Sequence, residues 1–162
     1  MGQRLLLVED EAALSRALVR LLRRHGYEIL LVTGVAAARA VEGSFVLGIF
    51  DIDLPDGDGV GVAEELLKRR VVERAVFFSG TRDPDRQRRA ERVATLVDKV
   101  DGFPQLMATI ARAMDAQRAR VAGGAEDSAF DAAGPPPSGV RGNGDHLPSS
   151  PEVTEEDPDS ET

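Results

Sequence analysis

Five short apolar runs, separated by stretches that are apolar on one side only, organise the first 120 residues of the chain. The runs predict β-strands at residues 4–8, 27–32, 45–50, 75–78 and 95–97. Because these runs do not alternate apolar with polar positions, each strand is expected to be covered on both faces, as in a parallel sheet.

The stretches between the runs predict five helices. In the first of them, Leu14, Leu18 and Leu22 share one face, while the arginines fall largely off it. This helix is expected to end at Gly26, which is suited to a left-handed C-cap. The other helices are predicted at residues 35–42, 59–70, 84–93 and 103–120. Five βα units in succession predict a doubly wound α/β fold, a five-stranded parallel sheet with helices on both faces.

Charge and composition divide the chain into two parts. The 162 residues carry a net charge of −8, but residues 1–122 hold 19 basic and 18 acidic side chains, against one and ten in residues 123–162. The second part also holds six of the nine prolines and few apolar side chains. Such a segment buries too little apolar surface to offset its ordering entropy, so we predict a folded domain at 1–122 and a disordered acidic tail at 123–162.

Several classes of protein and site are excluded or disfavoured by the same composition. The chain has no cysteine, which excludes disulfides and thiolate metal sites. No apolar run approaches the roughly 18 residues of a membrane-spanning helix, so no membrane association is expected. Without a strongly basic domain or arm, no nucleic-acid partner is expected. We predict a cytoplasmic protein, and the preference for arginine over lysine indicates a bacterial one.

Polar side chains that could carry chemistry follow four of the predicted strands, where ligands of such folds bind. Glu9 and Asp10 follow the first strand and Asp51 the third. Two carboxylates about 4 Å apart repel by about 4 kcal/mol at an effective dielectric near 20, so three require a cation, and oxygen ligands suit Mg²⁺. Ser79 and Lys99, after the fourth and fifth strands, suit a phosphoryl group. Asp51 would then be a nucleophile that attacks phosphorus.

Four motifs contain these side chains: LVEDE at 7–11, FDIDLPDGDG at 50–59, FFSG at 77–80 and VDK at 97–99. Their order and spacing resemble those of the receiver domains of two-component response regulators, which are CheY-like. The resemblance covers residues 3–120. It implies the flavodoxin-like strand order 2-1-3-4-5.

The resemblance also implies the roles of the site residues. Asp51 would accept a phosphoryl group from a sensor histidine kinase, and Ser79 and Lys99 would bind that group. The ligands of Mg²⁺ would be Glu9, Asp10, Asp51 and the backbone carbonyl of Asp53. The chain would be a stand-alone switch of a phosphorelay, with no enzymatic activity beyond its own phosphorylation and dephosphorylation. It would act by phosphorylation-dependent protein binding or by phosphate transfer.

The sequence departs from the family pattern at two positions. Val100 follows the lysine where the family usually has proline, so we expect a different loop there. Leu96 stands where the family often has an aromatic switch residue, and leucine can neither hydrogen-bond nor swing as a ring does in the usual coupling between hydroxyl and ring. Asp53 adds a carboxylate near Asp51 and is predicted to slow reactions with anionic groups.

The arginine-rich helix at 82–92 is either a solvated face or a surface for an acidic downstream protein.

Alternative interpretations remain for the chain and for single residues. A pseudo-receiver would act by protein binding only. A phosphatase of the haloacid dehalogenase type would use Asp51 and Asp53 as its DxD pair, although Leu54-Pro55 does not fit that motif. Acidic residues 9–11 could simply stabilise the start of the first helix, and Asp58 could be a helix N-cap.

Overall fold

Five parallel strands form the central sheet of the computed structural model, which describes residues 2–123. A two-stranded antiparallel hairpin lies in the loop after the third of them. In chain order the strands are β1 (Arg4–Val8), β2 (Glu28–Val32), β3 (Leu47–Phe50), β4 (Asp53–Leu54), β5 (Gly57–Asp58), β6 (Ala75–Ser79) and β7 (Thr95–Asp98). The sheet order is β2-β1-β3-β6-β7, so the predicted doubly wound order of the five long strands is confirmed.

Five α-helices alternate with the strands of the central sheet, as predicted; four connect strands and the fifth follows the last strand. They are α1 (Ala12–Arg24), α2 (Val35–Arg39), α3 (Gly59–Lys68), α4 (Pro84–Val93) and α5 (Gly102–Gly123), and a 3₁₀ turn at Lys99–Asp101 precedes α5. None of the helices within residues 2–123 is both long enough and apolar enough to cross a bilayer. The disordered tail predicted from the sequence lies outside the described residues, apart from Gly123.

Two apolar cores, one on each face of the sheet, explain the continuous apolar runs. Leu5 and Leu7 of β1 pack in one core together with apolar side chains of α1 and α5. Leu6 and Val8, which point the other way, pack in a second core with α2, α3 and α4. Both faces of β1 are therefore buried, as expected for a parallel strand.

Several predicted boundaries were wrong by one to three residues; for example, the helix predicted at 59–70 ends at Lys68, and the helix predicted at 103–120 is Gly102–Gly123. The helix predicted at 35–42 ends at Arg39, because Val41 turns into the core, 6% exposed, and its N–H bonds to the carbonyl of Ala38. The strand predicted to begin at residue 45 begins at Leu47, and Phe45 makes only an isolated bridge with Val72. The predicted C-cap of α1 is confirmed by the positive φ of Gly26, 85°.

Candidate functional site

The carboxyl ends of four neighbouring strands bring together the side chains selected from the sequence. Glu9 follows β1, Asp51 follows β3, Ser79 is the last residue of β6 and Lys99 follows β7. The backbone N–H of Asp51 donates to the carbonyl of Val8 at 2.9 Å, which continues the β1–β3 ladder and holds Asp51 beside Glu9. Glu9 and Asp51 are only 1% and 6% exposed, although both are acids at the edge of a sheet.

Both carboxylate oxygens of Asp51 are hydrogen-bonded. The hydroxyl of Ser79 donates to Oδ1 at 2.6 Å, and the backbone N–H of Asp53 donates to the same oxygen at 3.2 Å. The ammonium of Lys99 donates to Oδ2 at 2.7 Å. Since each oxygen has its own donor, the plane and direction of this carboxylate are fixed before any ligand binds.

Lys99 joins two acids, since its Nζ also lies 3.0 Å from Oε2 of Glu9. Burial lowers the pKa of Lys99, but its hydrogen bonds to Asp51 and Glu9 outweigh burial, and its pKa is raised above the ordinary value. Lys99 therefore stays charged. Burial raises the pKa of Glu9, against the opposing effects of the Glu11 N–H and of Lys99. An additional positive charge would favour the ionised form of Glu9.

The three acids have the chemistry of a divalent-cation site. Carboxylate oxygens of Glu9, Asp10 and Asp51 all lie within 4.8 Å of one another. One ammonium, that of Lys99, contacts two of these carboxylates, those of Glu9 and Asp51, so two negative charges remain if all three acids are ionised. Oxygen donors and a residual charge of that size suit Mg²⁺. The role of the Asp53 carbonyl as a further ligand stays a prediction.

The carboxylate of Asp53 has a partner that sequence reasoning missed. Nη1 of Arg86, on α4, lies 2.7 Å from Oδ1 of Asp53, and both side chains are 47% exposed. The two residues are 33 positions apart, and no local motif joins them. The extra carboxylate noted in the sequence is therefore neutralised by an arginine of a different element.

Other arginines of the segment at 82–92 are also paired with acids of the domain. Arg82 lies 2.9 Å from Asp98. Arg88 pairs with Asp85 of its own helix, and Arg89 pairs with Asp58 and Glu64. Among residues 2–123, Arg92 makes no ion pair. The segment therefore carries less free positive charge than its composition indicates, and its role as a surface for an acidic protein stays a prediction.

The two positions that depart from the family pattern have defined surroundings. Val100, 76% exposed, lies in the 3₁₀ turn after β7, and its N–H donates to the carboxylate of Asp98 at 2.9 Å. This hydrogen bond, together with Arg82, lowers the pKa of Asp98. Leu96 packs against the core on the α3 and α4 side of the sheet. A leucine in this position has no group that could hydrogen-bond to Ser79.

A cavity of about 530 Å³ lies at the other end of the strands. Its lining includes Ala75 and Thr95, the first residues of β6 and β7, together with side chains of α5 such as Arg112. It contains none of the acids at the carboxyl edge and is therefore not part of the candidate site.

No protein-family model matches the sequence. An uncharacterized transcriptional regulatory protein of Bacillus subtilis, YbdJ, is 31% identical over 84 residues, which are 52% of this chain and 38% of the relative. The photosynthetic apparatus regulatory protein RegA of Rhodobacter capsulatus is 32% identical over 78 residues, 47% of this chain and 42% of the relative. The matches thus span about two fifths of these curated relatives.

Solved structures resemble nearly the whole described region. A CheY-like receiver domain from Methanospirillum hungatei superposes with a TM-score of 0.67 at 22% identity and covers 74% of this chain and 99% of that one. The response regulator TrrA of Thermotoga maritima, in complex with Mg²⁺ and BeF, gives 0.61 at 24% identity, with 68% and 98% covered. A DNA-binding response regulator of the LuxR family from Staphylococcus aureus gives 0.60 at 26% identity, with 68% and 98% covered.

These neighbours confirm the resemblance to receiver domains and the predicted flavodoxin-like fold. The sequence predicts that this chain has no nucleic-acid partner. The similar proteins do not support that prediction, because they include a transcriptional regulatory protein and a DNA-binding response regulator. That expectation stays a prediction for this chain.

Proposed function

We propose that the chain is a phosphoacceptor receiver of a two-component system, phosphorylated on Asp51 by a sensor histidine kinase. One observation carries the proposal. A buried carboxylate, Asp51, is oriented by a hydroxyl and an ammonium, those of Ser79 and Lys99, and lies beside two further acids. This arrangement has a nucleophile, two groups for phosphoryl oxygens and a set of oxygen ligands in one place.

The proposed reaction is an in-line displacement at phosphorus. A carboxylate oxygen of Asp51 attacks the phosphoryl group of a phosphohistidine, an O–P bond forms, and the N–P bond breaks. The electron pair of that bond stays on the imidazole nitrogen, which takes up a proton. Ser79 and Lys99, which already contact Asp51, then hold the transferred oxygens by hydrogen bonding and by charge.

Residues at the same edge would hold the metal. Glu9, Asp10, Asp51 and the backbone carbonyl of Asp53 are the proposed ligands, in line with the Mg²⁺ named for the TrrA structure. When bound, Mg²⁺ supplies positive charge that lowers the repulsion between an incoming phosphoryl group and the acids. Lys99 contributes the same kind of compensation from the protein.

The proposed output is phosphorylation-dependent binding of another protein, or phosphate transfer to one. Hydrolysis of the aspartyl phosphate returns Asp51 to its starting state, and this self-catalysed cycle is the only chemistry that we assign to the chain. For the kinase we propose the α1 face. Its exposed arginines make no ion pairs within residues 2–123, and they are Arg16, Arg20, Arg23 and Arg24.

A beryllofluoride titration with Mg²⁺ tests this proposal against its alternatives. We expect shifts of the amide resonances of Ser79, Lys99 and residues near Asp51 in the wild type, and none in Asp51→Asn. The absence of Mg²⁺-dependent shifts would favour a pseudo-receiver that acts by binding only. Repeated turnover of a phosphomonoester such as p-nitrophenyl phosphate would favour the phosphatase. The presence of Glu9 in the acidic cluster argues against a phosphatase of the haloacid dehalogenase type, because the motif of that class does not require an acid at this position.

A further inference from the structure

Arg86 and Asp53 form an ion pair beside the candidate phosphoacceptor. The backbone of Asp53 is in direct contact with the acceptor, since its N–H donates to Oδ1 of Asp51 at 3.2 Å. Its side chain turns to α4, where Nη1 of Arg86 lies 2.7 Å from Oδ1 of Asp53. The pair is half exposed, so an approaching ligand would meet it before the buried carboxylate of Asp51.

A second acid lies near the guanidinium of Arg86. The Nε of Arg86 lies 3.6 Å from Oδ2 of Asp83. Asp83 is itself fixed as the N-cap of α4, because its Oδ1 accepts the backbone N–H groups of Asp85 and Arg86. The guanidinium therefore lies between two carboxylates, one at the start of its own helix and one next to Asp51.

The ion pair of Arg86 with Asp53 changes the net charge near Asp51. The acids near the acceptor are Glu9, Asp10, Asp51 and Asp53, whereas Lys99 is the ammonium that contacts Glu9 and Asp51. Without Arg86, Asp53 would add an unpaired negative charge at the position where an anionic phosphoryl group enters. With Arg86, the net charge of the pair is zero.

We propose that Arg86 is a positioning residue for phosphoryl transfer, which neutralises Asp53 and so sets the rate at which anionic phosphodonors reach Asp51. This inference rests on the proposed phosphoacceptor function. It predicts that the rate follows the net charge of the pair rather than the identity of either residue. The charge is −1 in Arg86→Gln, +1 in Asp53→Asn, and zero in both the wild type and the double variant.

The test is the rate of phosphorylation by acetyl phosphate with Mg²⁺. The reaction is monitored by the mass of the intact protein, because the chain has no tryptophan whose fluorescence could report it. We expect Arg86→Gln to be slower than the wild type by about three- to tenfold and Asp53→Asn to be faster by a similar factor. The double variant should return to within about twofold of the wild type. The differences should shrink at high salt, and with phosphoramidate, which carries less negative charge.

Two further variants separate the effect of charge from that of folding. Arg88→Gln removes an arginine of the same helix that pairs with Asp85 and serves as the matched control, expected to react at the wild-type rate. Arg86→Lys keeps the positive charge and should retain most of the rate.

The inference is overturned if Arg86→Gln reacts as fast as Arg88→Gln, or if the double variant is as slow as Arg86→Gln. If the wild type and Arg88→Gln acquire no phosphoryl group on Asp51, the proposed function fails and this inference fails with it.

Discussion

Gly59 packs directly against the main chain of Asp51. A Cβ atom built on Gly59 would lie 1.8 Å from the carbonyl oxygen of Asp51, far inside any permitted contact. The N–H of Gly59 also donates to the carbonyl of Ile52 at 2.9 Å. The first residue of α3 thus fixes the segment that carries the candidate nucleophile, and close approach rather than an unusual φ requires glycine there.

Gly59→Ala is therefore expected to affect both folding and the site. The added methyl group has to displace the backbone of Asp51, which should lower the free energy of unfolding by about 1–3 kcal/mol. Urea unfolding measures this loss. Gly61→Ala is the matched control, because its Cβ would meet its nearest neighbours at an ordinary 3.5 Å. Gly61 lies in the first turn of α3, and Gly61→Ala should leave the free energy of unfolding unchanged or raise it slightly. Equal stability of the two variants would refute the packing argument.

Mg²⁺ is expected to raise the melting temperature of the wild type, because the proposed ligands are acids whose charge is balanced, within residues 2–123, by Lys99 alone. A ligand at 100 times its Kd stabilises by about 2.7 kcal/mol. Asp10→Asn, at an exposed position, should fold normally but respond less to Mg²⁺. Thermal melts with Mg²⁺ and with EDTA measure the response, and Asp115→Asn on α5 is the surface control. A response of Asp10→Asn equal to that of the control would contradict the ligand assignment.

Asp56 gives the domain a pH-dependent contact. Its carboxylate accepts the N–H groups of Ala36 and Val35 at 3.0 and 2.8 Å, and these hydrogen bonds lower the pKa of Asp56 below its ordinary 3.8. A lowered pKa means that the stabilisation is present above about pH 4 and is lost as the pH falls through the folded-state value. Asp56→Asn should be less stable than the wild type at pH 7, with the difference shrinking below pH 3.8. Chemical unfolding at a series of pH values tests this, and a constant difference would contradict it.

Helix α4 is expected to depend on polar contacts more than the other helices do. Ala90 is its one buried residue, while Asp83 caps its first turn. Asp83→Ala should cost about 1 kcal/mol, the usual value of an N-cap. Amide exchange should become faster in Pro84–Val93 and remain unchanged in α3. Uniformly faster exchange across the domain would show that the cap supports the whole fold rather than this helix.

The sheet could be predicted from the sequence because its strands are covered on both faces. Leu5 and Leu6 point to opposite cores, and each has no exposed surface, so no polar residue interrupts the run. The proximity of Asp51 and Lys99 could also be predicted, because the carboxyl ends of neighbouring parallel strands meet at one edge. Both inferences depend only on local patterns combined with a general rule of topology.

Contacts between surface side chains of distant segments could not be predicted in this way. Asp56 lies in a sequence typical of a turn, and nothing around it in the sequence indicates that it binds the start of α2, 20 and 21 positions earlier. The pairing of Asp53 with Arg86 likewise depends on how α4 lies over the loop after β3. The cap of α4 was available from the sequence, since Asp83 precedes a proline at the first helical position, a common helix start.

The most direct measurement of the central claim is the mass of the intact protein after incubation with acetyl phosphate and Mg²⁺. We predict that one phosphoryl group is added to the wild type and that its site, mapped by borohydride reduction and peptide sequencing, is Asp51. The addition should require Mg²⁺ and be absent in Asp51→Asn. An unmodified wild type, or a phosphoryl group of equal yield in Asp51→Asn, would contradict the assignment of Asp51 as the phosphoacceptor.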